Sequence, residues 1–123
     1  MMAFSALLIA SALSSPQPGG AADALLAAVA RGDLAAARAT LDDEAVIVDS
    51  RSESFDASSL EAFAAYARDC RAGEVFREVD AEDPRRASVT VRWDCPSREA
   101  SEDFIWTEGD EVVHILFGLS MER

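Results

Sequence analysis

The order of hydrophobic periods along this 123-residue chain predicts an α+β fold, with helices packed on one face of a curved, mostly antiparallel sheet. Three observations carry the expectation. Apolar residues recur at helical spacing over the early part of the chain and again after Ser58; from Glu74 onward the period changes to two; and the alternating runs are separated by turn-forming Pro, Gly and Asp. At this length, with half of the residues apolar, the chain supports one core and one domain, 21–123, behind a leader of residues 1–20.

The stretch ADALLAAVARGDLAAARATLDDE predicts two short helices. Leu25, Leu26 and Val29 face one way in the first, Gly32 ends it, and Asp33 caps the second, which is expected to bury Leu34, Ala37 and Leu41. The Arg-Gly-Asp triplet at residues 31–33 is therefore helix punctuation. Ala45 to Asp49 is a β-branched run and predicts a lone strand. After a polar loop, Ser58 and Glu61 fit a capping box for a helix carrying Leu60, Phe63, Ala67 and Cys70 as one stripe, flanked by Tyr66 and ending near Gly73. A four-stranded meander follows: Val75 and Val79 mark its first strand, Val89 to Cys95 its second, Asp103 to Thr107 its third and Glu111 to Leu119 its last. A two-residue turn around Glu108-Gly109-Asp110 places Phe104 and Trp106 on the face of Val113, Ile115 and Phe117, the face expected to pack on the helices.

Composition excludes some partners. With 23 acidic against 11 basic residues the net charge is −12, and Arg85-Arg86 is the largest basic cluster, so nucleic acid and anionic membranes find no positive face. The apolar run from Ala3 to Leu13 is too short for a bilayer, which needs roughly 20 apolar residues. It fits the apolar segment of a secretory signal with cleavage after Ser14, which predicts a periplasmic or secreted protein, although no Lys or Arg precedes it. Cys70 and Cys95 bear on the same point. If residues 74–94 form a hairpin around AEDPRRA, with Asp80 opposite Ser88 and Glu74 opposite Asp94, the two thiols come within a few residues of each other and a disulfide can close; the alternative is two small buried hydrophobes that never meet.

The element order, with ARGDLAAARATLDDEAVIVDS, the SSLEAFAAYA helix and the closing FIWTEGDEVVHILFGL hairpin, resembles the nuclear transport factor 2-like superfamily, which includes SnoaL-like cyclases and ketosteroid isomerases. The resemblance covers about residues 21–119. It implies a cone-shaped roll with the N-terminal helices on the concave face of the sheet, a pocket between them, and homodimers, but no single activity. In the isomerase branch the general base is an aspartate at the end of the first strand, where Asp49 stands; the tyrosine those enzymes carry on the first helix aligns with Leu25, and their second donor is matched only loosely by Asp103, which alternation turns away from the aromatic face. Asp49 is thus either a proton-shuttling base, with Tyr66 or Trp106 donating to the substrate oxygen, or a carboxylate that ends a strand and bonds nearby amides.

The lone histidine, His114, alternates with Ile115 and Phe117 and is expected on the outer face beside Val112 and Leu116, a face apolar enough to join two copies back to back. No cofactor motif, metal-ligand spacing or nucleophile elbow occurs in the chain. Phe63, Tyr66, Trp93, Phe104, Trp106, Ile115 and Phe117 can line a pocket for a small apolar ligand or serve as ordinary core. These features favour an exported binding or accessory module, without a cofactor, over the two alternatives: an isomerase, cyclase or dehydratase using Asp49, and a protein-interaction domain using the outer sheet.

Overall fold

The computed structural model describes residues 19–51, 57–68, 70–96 and 100–120; the expected leader and its cleavage point lie outside them, apart from the last two leader residues. The elements run α1 (Gly20–Ala30), α2 (Leu34–Ala39), β1 (Leu41–Asp49), α3 (Leu60–Ala67), β2 (Arg71–Val79), β3 (Arg86–Asp94), β4 (Ser101–Glu108) and β5 (Glu111–Ser120). One five-stranded sheet has the order β1-β5-β4-β3-β2. The last four strands form the antiparallel meander, and β1 joins its free edge parallel to β5.

Local chemistry explains the helices. Gly32, at φ 73°, takes the left-handed conformation that stops α1, and the Asp33 carboxylate accepts from the Ala36 N–H to start α2. The cap of α3 is Ser59, not Ser58: its hydroxyl accepts from the Ala62 N–H, while the Ser58 N–H donates to the Ile47 carbonyl and ties the incoming chain to β1. Glu61 reaches away to Arg38 on α2 instead of closing a capping box. Leu34, expected in the core, is exposed at the first turn of α2, and Cys70 lies beyond the end of α3.

Helices and sheet share one buried cluster. Leu25 and Ala28 of α1, Ala37 of α2 and Leu60 and Phe63 of α3 meet Val89, Val91, Ile105, Val112, Ile115 and Phe117 from the sheet, all nearly sealed from solvent. The Phe63 and Phe117 rings pack at 5.5 Å, and Tyr66 and Phe117 at 5.2 Å. A Cys70–Cys95 disulfide closes the end of this core, joining the chain after α3 to the end of β3, with Cα atoms 4.3 Å apart. The hairpin register leading to it differs from expectation: Ser88 pairs with Glu78 rather than Asp80, and a one-residue bulge between Ala72 and Glu74 brings Arg71 opposite Asp94.

Phe104 and Trp106 lie on the face opposite to the one expected. The β4–β5 hairpin does begin with a two-residue turn, Glu108 opposite Glu111 and Thr107 opposite Val112, but Trp106 then pairs with His114. Val113 is an extra residue, a bulge, and every pair beyond it shifts by one. Since side chains alternate with period two, that single insertion exchanges the faces of β4 relative to the rest of β5. Ser101, Asp103, Ile105 and Thr107 are therefore buried with Ile115 and Phe117, and Phe104 and Trp106 are half-buried on the outer face with His114. The same bulge corrects Val112, expected on an outer dimer face and in fact completely buried.

The outer face is organised in cross-strand rows. Glu74, Arg92 and Glu102 form an ionic ladder at 2.8 and 3.1 Å. Beside it run Phe76, Thr90, Phe104, Leu116 and Val48, then Glu78, Ser88, Trp106, His114 and Val46.

Candidate functional site

The candidate site lies where β1 ends against β5, at the rim of the interior. Asp49 pairs with Phe117 in the parallel ladder, and Ser50 donates both its N–H and its hydroxyl to the Phe117 carbonyl, at 2.9 and 2.8 Å. These bonds turn the chain so that Arg51 folds back. Its Nε and Nη2 donate to the two oxygens of Asp49 at 2.9 and 2.7 Å, and its own N–H adds a third bond at 2.9 Å. The guanidinium carbon sits 4.8 Å from the centre of the Tyr66 ring and 5.5 Å from that of Phe117. Arg51 thus covers the rings that close the interior at this end.

The electrostatic consequence is direct. The hydrogen bonds from the Arg51 side chain hold the Asp49 carboxyl below the ordinary carboxylate range, outweighing the upward push of its partial burial. The same pairing raises Arg51. A general base for carbon acids at neutral pH needs the opposite, a carboxyl raised by burial and free of a cation.

A second carboxylate lies deeper. Asp103 is completely buried, contrary to the expectation that it faces away from the core, and accepts hydrogen bonds from the Trp93 indole N–H and, at 3.0 Å, from the Gly118 N–H. Gly118 makes that second bond available. The pairs Phe104–Leu116 and Glu102–Leu119 leave one extra residue on β5, and Gly118, at φ 88°, takes up this second bulge and turns its N–H toward the carboxylate. A Cβ on Gly118 would lie 2.8 Å from Cγ of Arg51, so the glycine also gives Arg51 its path across the rim. The negative charge of Asp103 adds to that of Asp49 in favouring the Arg51 cation. Arg51, Gly118 and the orientation of Asp103 were not found by sequence reasoning. A glycine inside an otherwise apolar final strand is the signal that could have exposed the bulge.

Of the seven residues expected to line a pocket, five pack inside: Phe63, Tyr66, Trp93, Ile115 and Phe117. They are at most 6% exposed, and neither cavity described below borders them. One, of about 300 Å³, lies between α1, the start of α2 and α3; the other, of about 700 Å³, is on the outer face beside Trp106 and His114. Trp106 is separated from Asp49 by the thickness of the sheet and cannot donate to a substrate there; Leu25, buried on α1, has no donor to offer. Among the described residues no group of three or more His, Cys, Asp or Glu could hold a metal ion, and no helix is long and apolar enough to cross a membrane.

No protein-family model matches the chain, and no curated protein does. Solved structures match it at low identity. A candidate polyketide cyclase from Pseudomonas putida KT2440 is 15% identical with a TM-score of 0.58, over 85% of this chain and 92% of that one. A protein from Sphaerobacter thermophilus gives 0.59 at 13% identity over 85% and 95%, and a candidate polyketide cyclase from Xanthomonas campestris pv. campestris gives 0.54 at 14% over 80% and 86%. At such identities the likeness speaks for architecture and leaves activity open. Helices on one face of a curved, unclosed five-stranded sheet, matched over most of each chain, give this protein the nuclear transport factor 2-like, SnoaL-like fold.

Proposed function

We propose that the chain is an exported binding or accessory module that takes a small apolar molecule at the rim of its interior, with Arg51 as a cap, and that Asp49 serves to hold the cap. The carrying observation is the Asp49–Arg51 fork: a carboxylate satisfied by three N–H donors and lowered in pKa is a poor proton acceptor but a good anchor. The disulfide supports export, because such bonds persist in oxidising compartments. Two measurements test the reading. Carboxyl NMR titration should find Asp49 below the usual range, and Arg51→Ala should increase the binding of an apolar fluorescent probe by uncovering Tyr66 and Phe117. A raised Asp49 pKa, or equal probe binding by both proteins, would overturn it.

The row of exposed Phe76 and half-buried Thr90, Phe104, Leu116 and Val48 supports back-to-back association of two copies, with His114 at its border. Light scattering showing only monomer at high concentration removes this part of the proposal.

One observation favours an enzymatic alternative. Asp103 is a completely buried carboxylate at the Gly118 bulge, and a buried carboxyl is the type of group that proton transfer on an enolisable ketone requires. Deuterium uptake from heavy water into such a ketone, lost in Asp103→Asn, would support an isomerase, cyclase or dehydratase. No exchange above the buffer rate removes this alternative.

A further inference from the structure

The hollow of about 700 Å³ lies on the sheet face opposite the helices, away from the Arg51 rim, at the corner where β2 ends, β3 begins and the β5 bulge falls. Its construction follows from register. Glu78, Ser88 and Trp106 stand side by side on β2, β3 and β4. A small residue between a carboxylate and an indole leaves a gap above Ser88, with its two walls about 9.5 Å apart at the backbone, two strand spacings. The Val113 bulge, which gives the hollow part of its apolar lining, locally increases the twist.

The walls differ in chemistry. Trp106 is held by the His114 ring at 4.8 Å and the Phe104 ring at 6.1 Å, so the indole is fixed in place while part of it borders the hollow. Facing it are the carboxylates of Glu78 and Asp80, neither of which has an ion-pair partner among the described residues. Among the described residues of the lining the one cation, Arg86, is engaged by Asp83 at 3.6 Å and Glu108 at 3.4 Å. Asp80 accepts the Glu82 N–H at 2.8 Å. An electron-rich ring opposite carboxylates without a cationic partner among the described residues, on a chain of net charge −12, attracts cations and repels anions.

From this arrangement we propose a second binding site, separate from the interior, for a small organic cation of the alkylammonium class. The cation sits above Ser88, its apolar body against Trp106 and Val113 and its charge between the indole and Glu78. The hollow has ample room for a molecule of this class. The apolar row that supports dimerisation lies one row away, on the side toward Phe104.

The test uses the full chain with choline as probe and 3,3-dimethylbutan-1-ol, its uncharged isostere, as control, followed by calorimetry and by the Trp106 indole N–H resonance, assigned with Trp106→Phe. Choline should bind saturably and shift that resonance; the alcohol should bind at least about tenfold more weakly. Trp106→Ala should abolish the binding. Glu78→Gln/Asp80→Asn, which alters only exposed side chains, should weaken it severalfold with an unchanged circular dichroism spectrum and so separates loss of the site from misfolding. Non-saturating uptake of choline, equal binding of the alcohol, or undiminished affinity in the double variant would overturn the proposal. The interior reading is unaffected by any of these results, since no residue of the Arg51 rim is changed.

Discussion

Gly118→Ala is the sharpest perturbation of the candidate site, because three features of the structure converge on one missing methyl group. The residue sits at φ 88°, where an L side chain costs about 1–2 kcal/mol. The new Cβ would stand 2.8 Å from Cγ and 3.2 Å from Cδ of Arg51. Arg51 is half exposed and can swing outward, giving up a surface ion pair worth ~0.2–1 kcal/mol. Against these costs, alanine restricts the unfolded chain and returns about 0.4–1 kcal/mol. The net loss is therefore about 1–2 kcal/mol if the backbone keeps its conformation. If it relaxes instead, the Gly118 N–H leaves the buried Asp103 carboxylate, and a charged hydrogen bond of about 1.5–3 kcal/mol is lost as well.

Urea denaturation of wild type, Gly118→Ala, Arg51→Ala and the double variant distinguishes the terms. The double variant should be more stable than the sum of the single effects predicts, because removing Arg51 removes the overlap. A Gly118→Ala protein within about 0.5 kcal/mol of wild type, the range of an ordinary surface substitution, would refute the reasoning. It would mean that neither the bulge conformation nor the Arg51 path constrains this position.

Reduction of Cys70–Cys95, which spans 25 residues, should lower stability by about 3.5 kcal/mol by the loop-closure estimate, read as a fall in the urea midpoint after thiol labelling. Asp103→Asn leaves one acceptor for two N–H donors, so either Trp93 or Gly118 faces an amide NH₂; a loss of ~1–3 kcal/mol is expected, with an upfield shift of the Trp93 indole proton if that bond breaks. Asp49 is lowered in the folded state, so its contribution to stability is present above its unfolded-state pKa and disappears as the pH falls through the folded value. Wild type and Arg51→Ala should then differ by under about 1 kcal/mol at neutral pH and converge in acid, as followed by thermal melts across pH.

The fold was legible because its signals are local and repeated. Asp33 and Gly32 mark a helix boundary by their own chemistry, and Val89, Val91 and Trp93 mark a buried face by alternation alone. The site was less legible because it depends on register. Asp103 and Trp106 belong to one strand, and nothing in their own neighbourhood says which of them points inward; that is decided by an insertion in the partner strand, at Val113. The pairing of Asp49 with Arg51 is local, two residues apart, yet its meaning depends on Tyr66 and Phe117 lying beneath the guanidinium, which only the assembled sheet supplies.

The two bulges of β5 therefore do more than shape the sheet. One supplies the donor for the buried carboxylate at Gly118, and the other shapes the outer hollow at Val113. Their roles can be separated, because deleting Val113 leaves Thr107 opposite Val112 and Trp106 opposite His114, now as consecutive regular pairs. Every inward side chain stays inward, so the core of Val112, Ile105, Ile115 and Phe117 survives the deletion, whereas the extra twist and the Val113 wall are lost. The variant should fold with its near-ultraviolet spectrum from the interior rings preserved, and choline binding should fall at least several-fold. A protein that fails to fold would show that sheet curvature at Val113, rather than face alternation, is what the helices require. One that folds and binds choline as wild type would remove the bulge from the construction of the hollow.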